Sequence, residues 1–235
     1  MQSQGSSNLV GSHVPGTSES AMKDTVPNRS LVLVGAGGHA DVVRAAAEAS
    51  GWRVTAHVDT TLARDAVHRG LPILGGADAI ARSEDLGGAI HVAIGDNATR
   101  MQLCARLQCK GVVLATIVHP AAFVDPSASL GPGSAILAGA IVNPLAKLAC
   151  AVVVNTGAIV EHHCAIADGV HVAPGAVMGG HCRIGTQALI GLGARLRDRV
   201  TIGARARIGA GAAVIDDVEE NTTVVGVPAK RLRSR

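Results

Sequence analysis

Residues 160–171, VEHHCAIADGVH, set His162 and His163 side by side and place His171 nine positions beyond His162. An imidazole titrates near neutral pH, so it can take a proton from an attacking amine or hydroxyl. Three imidazoles converging on one point at about 2.0–2.1 Å would instead hold zinc. Neighbouring side chains on a strand point to opposite sides unless a corner intervenes, which argues against one metal shared by His162 and His163. Glu161 is the nearest acid, and the same alternation turns it away from the face that carries His162. A third reading leaves the histidines on a solvated face without a role.

A second stretch with chemical content is GAGGH (35–39), between LVLV (31–34) and DVVRAAAEAS (41–50). The order is strand, glycine turn, helix. Glycines there let the backbone approach a ligand, and the helix N-terminus offers free N–H groups and partial positive charge to a phosphate. The turn alone would also demand them. RVTAHVD (53–59) ends on Asp59, 24 residues after Gly35, where such folds put an acid near a ribose or sugar hydroxyl. PILGG (72–76), AIHVAIGDN (89–97), a helix near 98–109 and VVLATIVHP (112–120) are expected to extend a small parallel sheet with right-handed crossovers. A dinucleotide needs two such halves, and roughly 90 residues supply only one, so a mononucleotide-linked ligand fits better.

The element that must position VEHHCAIADGVH is a repeat. From Val118 to Val214 an aliphatic residue recurs at every sixth position, seventeen times without a slip. A small or β-branched residue stands two places before each, and Gly, Asn or Asp often follows, which suits a corner. Self-similarity at six residues marks a parallel β-helix, whose short strands bury their inward faces only when coils stack. A narrow prism of this kind accounts for a chain with one Phe, one Trp and no Tyr. Cys164 and Cys182 fall on the small inward positions and are read as core. His181 lies 18 residues after His163 and should stack above it on the next coil. His119-Pro120 marks the junction between the two halves.

Net charge is +3, with no long Lys/Arg run and almost no aromatic rings for bases to stack on, which excludes a nucleic-acid partner. The five cysteines form no CxxC pair, and no run of 18 apolar residues occurs. A reduced, cytoplasmic setting without a membrane span is expected.

The hexad run with its closing VVGVPAKRL (224–232) resembles the left-handed β-helix acyltransferases, which make one coil per 18 residues and usually assemble as homotrimers. With GAGGH, Asp59, AIGDN and NTGAIVEHHCAIADGVHVAPGA (155–176) added, the chain resembles the sugar-nucleotide N-acetyltransferases of the bacillosamine and perosamine type, and the similar sialic acid O-acetyltransferases. The resemblance implies an α/β half-Rossmann N-terminal domain followed by an all-β left-handed parallel β-helix. The expected division is a disordered arm over 1–29, a nucleotide-sugar-binding domain over 30–117, the β-helix over 118–217 and a tail over 218–235. Acetyl-CoA is the implied cosubstrate, with no metal, and the acceptor is the C4 amino group of a nucleotide-linked sugar.

Site roles follow from the same resemblance. His162 matches the general base, Asn155 the upstream Asn of the motif, and His171 the histidine near the acetyl thioester. His163 stands where relatives carry a Glu that polarises the base; a neutral imidazole can fix the tautomer of His162 without raising its basicity as a carboxylate would. Gly180, Leu192 and Ala210 match positions lining the acetyl-CoA channel between subunits. Lys230, with Arg231, either meets the CoA phosphates or forms a solvated basic tail. Gly37, Gly38, His39, Asp59, Thr60 and Gly95 match positions that hold the nucleotide sugar. Three other readings compete: O-acetylation of a sugar such as sialic acid, a γ-class carbonic-anhydrase-like zinc enzyme on the same prism, and a non-catalytic nucleotide-sugar binder. A hydroxyl needs base assistance more than an amine does, so the missing Glu favours the amine.

Overall fold

A computed structural model describes residues 29–76, 79–80 and 88–232. Apart from Arg29, the expected N-terminal arm lies outside these residues.

The apolar run after Arg29 forms β1 (Ser30–Val34), buried along its whole length. It is the centre of a three-stranded parallel sheet, between β2 (Arg53–Val58) and β5 (Ala89–Val92). Helix α1 (Gly38–Ala49) buries Ala40, Val43, Ala46 and Ala47, the spacing of a single helix face. Helix α2 (Asn97–Cys109) starts at Asp96, whose carboxylate accepts from the Thr99 backbone N–H at 2.8 Å. Two expected strands turn out differently. PILGG does not lengthen the sheet: Leu71–Pro72 (β4) pairs with Val67–His68 (β3) in an antiparallel hairpin, and only Ile73 bridges to His57. Pro72 lacks the N–H that an interior strand would need. In VVLATIVHP, Leu114 bridges to Ile90, and Ile117–Val118 (β6) already pairs with Ala135–Ile136 of the next domain.

From β6 onward the chain is a β-solenoid of about six turns. Every strand is short, and up to Val214 each pairs in parallel with the strand 18 positions on, as Ile141 with Ile159 and Lys147 with Ala165, while the last coil pairs at a spacing of 16. Three parallel sheets result, one per side of a prism. The hexad residues point inward and, from Ile136 to Val214, are all buried, with the small residues beside them. At each corner from Gly133 to Gly211 one residue adopts left-handed backbone: Gly157, His163, Gly169, Gly175, His181 and Gln187 all have φ between 60 and 66°. Non-glycine residues pay for that conformation, so the corner is held by a hydrogen bond to the coil below, as from His163 N–H to the Pro144 carbonyl at 3.0 Å. The glycines that directly follow the hexad residues answer a different need. A Cβ on Gly185 or Gly203 would overlap the backbone of the next coil.

The expected fold class holds, and the prism runs past residue 217: Val218 bridges to Ile202, and Thr223–Val225 pairs with Arg207–Ile208. Lys230–Arg231 folds back antiparallel on Val224–Val225 and covers the end of that sheet. One side of the prism packs on the N-terminal domain, where Ile117, Ala135, Leu137 and Val153 join Leu31, Leu33, Ala40 and Val43 in a single cluster. Among the described residues no helix is long and apolar enough to cross a membrane.

Candidate active site

The chemistry-bearing residues gather in two places. The first is the seam between the domains. Arg100 of α2 is fully buried there and donates to the carbonyls of Ala151, Ile94, Gly95 and Gly169 and to Asn97 Oδ1, at 2.8–3.1 Å. Asn97 Nδ2 reaches the Gln187 and Ala188 carbonyls of the prism at 3.0 and 3.1 Å. Beside this clamp, Asn155 Nδ2 donates to His171 Nε2 at 3.0 Å, and the Gly95 carbonyl also bears on the His171 ring. The His171 ring lies 5.7 Å from that of His39, on the first turn of α1. His39 Nε2 is buried and has no hydrogen-bond partner among the described residues.

Burial pushes His39 down to about 3, with His171, Arg100 and His91 adding to the effect. Burial likewise takes His91 and His171 to about 4, against the pull of the Ala115 and Gly95 carbonyls. All three imidazoles are therefore neutral in the folded protein at pH 7. In the unfolded chain they would protonate near 6.5. The unfolded state therefore binds more protons below that pH, and stability present above it is lost as pH falls towards 4. We expect the melting temperature to fall between pH 6.5 and 5, each histidine contributing a slope of up to about 1.4 kcal/mol per pH unit. A melting temperature flat over that range in calorimetry would show that these rings are solvated.

In front of the glycine turn, Gly37 and Gly38 face open space, and no atom lies within 4 Å of where a Cβ would stand. Asp59 closes the turn from behind: its Oδ2 accepts from Ala36 N–H at 2.9 Å and its Oδ1 from the Thr61 N–H and hydroxyl at 2.7 and 2.6 Å. Those bonds hold its carboxyl below the usual range against the opposing effect of burial. Thr60 packs its Cα and Cγ2 on Gly76. Gly95 borders a cleft of about 290 Å³ with Asn97, Gln187, Arg205 and Arg207.

The second place is a prism corner. His162 and His163 are both exposed, and their Nδ1 atoms share a hydrogen at 3.0 Å. The alternation argument against their meeting fails because a corner follows the two-residue strand Ile159–Val160. His181 stacks on His163 one coil up, ring centroids 4.6 Å apart and 20° from parallel. His162 stands edge-on to both at 5.2 Å. Gly180 makes room for it, since a Cβ there would lie 2.7 Å from His162 Nε2. Among the described residues Glu161 accepts only from the His162 backbone N–H, at 3.3 Å.

Within one chain, no hydrogen bond or ring contact among the described residues joins the seam to this corner. The Asn155 end of the seam and the His162 corner stand at two edges of one prism side, separated by the strand Ile159–Val160. Leu192 and Ala210 stack on the edge that holds Asn155, where Gly193 N–H bonds Pro174 and Gly211 N–H bonds Leu192. The side between the edges carries an apolar stripe of Phe123, Ile141, Ile159 and Val177, paired in register. Lys230 lies at the far end, three coils or about 14 Å along the axis from His162. It shares its groove with Asp216, Asp217 and Glu219, which oppose an anion there.

Comparison with known proteins agrees with this architecture. The family described as PglD N-terminal domain matches residues 30–107. The acetyltransferase domain of PglB from Neisseria gonorrhoeae, in complex with acetyl coenzyme A, is 37% identical over 87% of this chain and 100% of its own, with a TM-score of 0.81. PerB from Caulobacter crescentus, in complex with CoA and GDP-perosamine, is 36% identical over 87% of this chain and 97% of its own, with a TM-score of 0.82.

The chain belongs to the left-handed β-helix sugar-nucleotide N-acetyltransferases. WeeI from Acinetobacter baumannii, 24% identical over 86% of the chain with a TM-score of 0.74, shares the fold. A search of curated proteins found no match.

Sequence reasoning missed several residues of this N-acetyltransferase. Arg100 and Asn97 form the seam, and the only signal for Arg100 was its place on the apolar side of α2 with Cys104 and Leu107. Arg205 and Arg207 face Gly95 from the prism, a proximity that the 18-residue register could reveal only once the docking side was known.

Proposed function

We propose that the protein transfers the acetyl group of acetyl-CoA to the amino group of a nucleotide-linked amino sugar, in a homotrimer whose active sites lie between subunits. The observation that carries this reading is the His162 corner. With its Nδ1–H donated to His163, His162 keeps a lone pair on Nε2, the form a base requires. The sugar amine attacks the thioester carbonyl, His162 Nε2 takes the amine proton, the C–S bond breaks, and CoA leaves as the thiol once protonated. His163 holds the tautomer, the part of the missing Glu's work that a neutral ring can do.

Open space before Gly37 and Gly38, the N-terminus of α1 and the unpartnered, neutral His39 suit a nucleotide-sugar subsite. Asp59 acts there by shaping the turn through Ala36. Asn155 and His171 form its floor. A second subunit packed on the apolar stripe would bring one chain's seam to another's His162, with CoA running past Gly180, Leu192 and Ala210. Lys230 is the weakest of the proposed CoA contacts, given the acids around it.

Thiol release from acetyl-CoA, measured against UDP-, GDP- and dTDP-linked 4-amino sugars and free sialic acid, tests the proposal. Turnover is expected with an amino-sugar nucleotide. Turnover with sialic acid alone would move the protein to O-acetylation, and no acetyl-CoA binding would leave a nucleotide-sugar binder.

A further inference from the structure

The corner that supplies the base carries more imidazole than proton transfer needs. His162, His163 and His181 each present a ring nitrogen within 4.8 Å of the others, all three exposed to solvent. In a tetrahedral zinc site with bonds of about 2.0–2.1 Å, ligand nitrogens lie roughly 3.3 Å apart. The Nδ1 atoms of His162 and His163 are already at 3.0 Å, and His181 stands directly above. Two of the rings are stacked, so His163 and His181 must rotate until their planes share a point; both rings are exposed in the single chain. The backbone fixes the rest. Residues 163 and 181 occupy successive left-handed corners, φ 60 and 61°, tied by the His181 N–H to the His162 carbonyl at 2.9 Å. Arg199, on the coil above His181, is paired with Asp198 at 3.4 Å.

We infer that His162, His163 and His181 form a binding site for a divalent transition metal, of which zinc is the best matched, and that the bound metal silences the base. Neutral imidazoles are the ligands, and the surface position leaves a fourth place for water. When Nδ1 of His162 binds the metal, its hydrogen moves to Nε2 and no proton leaves the ring. Nε2 then has no lone pair to accept a proton from the amine. The inhibitory consequence rests on the proposed role of His162, while the metal site itself does not.

The test uses untagged full-length protein stripped with chelator. Zinc affinity is measured by competition with a chromophoric chelator, and Co²⁺ is added as a spectroscopic stand-in for zinc. About one zinc per chain is expected, with the intense visible bands of tetrahedral Co²⁺. His181→Asn keeps a residue that tolerates left-handed backbone and removes one ligand. It should bind zinc at least tenfold more weakly and keep metal-free acetyl transfer while losing inhibition by zinc. His163→Asn should weaken zinc equally in the binding assay alone, which covers the case of a His181 variant that fails to fold. Zinc affinity unchanged in either folded variant, or no binding by the parent protein, overturns the inference. If no acetyl transfer is found with any substrate but zinc binding still depends on His181, the proposed function fails and the metal site stands.

Discussion

His162→Asn should lower kcat/KM for acetyl transfer by a hundredfold or more, within the 10²–10⁴ that a positioned base contributes. Asn can still donate to or accept from His163, so the corner keeps a hydrogen bond, but its amide cannot carry a proton away from the attacking amine. The ring rests on Gly180 and is exposed, so its loss opens no core cavity and the melting temperature should barely move. That separation makes the result interpretable: a large loss of turnover with an unchanged fold can come only from chemistry at the corner. The measurement is thiol release under kcat/KM conditions, in chelator-treated buffer so that metal plays no part. Unchanged kcat/KM would remove His162 as the base.

Arg100→Met is expected to cost about 3–5 kcal/mol, because several buried carbonyls lose their hydrogen-bond donor at once. The Met side chain fills much of the space but leaves the carbonyls of Ala151, Ile94, Gly95 and Gly169 without their donor. Each unpaired buried group carries a penalty of about 1–3 kcal/mol, partly relieved if the seam opens to water. Arg100 ties α2 to two separate coils of the prism, so its loss uncouples the domains. Calorimetry should show the α/β domain melting ahead of the prism, where the parent protein melts in one step. Acetyl transfer should fall with it, because Gly95 and His171 lose their common anchor. A single transition at the parent temperature would mean that the apolar cluster around Ile117 and Val153 holds the domains together without help.

The prism was legible because the same demand is made at every coil. One inward aliphatic and one inward small residue per side leave a period of six that can be counted, and the 18-residue coil by itself sets His181 over His163. The corner between His162 and His163 was not legible by the same means. Alternation along a strand assumes a strand long enough to alternate, and here each prism side offers two strand residues before the chain turns. The seam was hidden for a different reason. Its bonds join residues 51, 69 and 90 positions apart, and no local pattern records which prism side meets α2. PILGG misled because its apolar content reads as a strand while Pro72 forbids an interior one.

The 18-residue register has a further consequence for how this chain can change in length. A residue gained or lost inside a coil would carry every later side chain round to a different side of the prism, moving Leu192 and Ala210 off their edge. Length can drift by whole coils, or by loops that leave and re-enter at one corner, while the β3–β4 hairpin of the α/β domain tolerates odd insertions. Descendants of this sequence should therefore differ by multiples of 18 in the coils up to Val214, while the last coil, which already pairs at a spacing of 16, and the α/β domain can differ by other numbers.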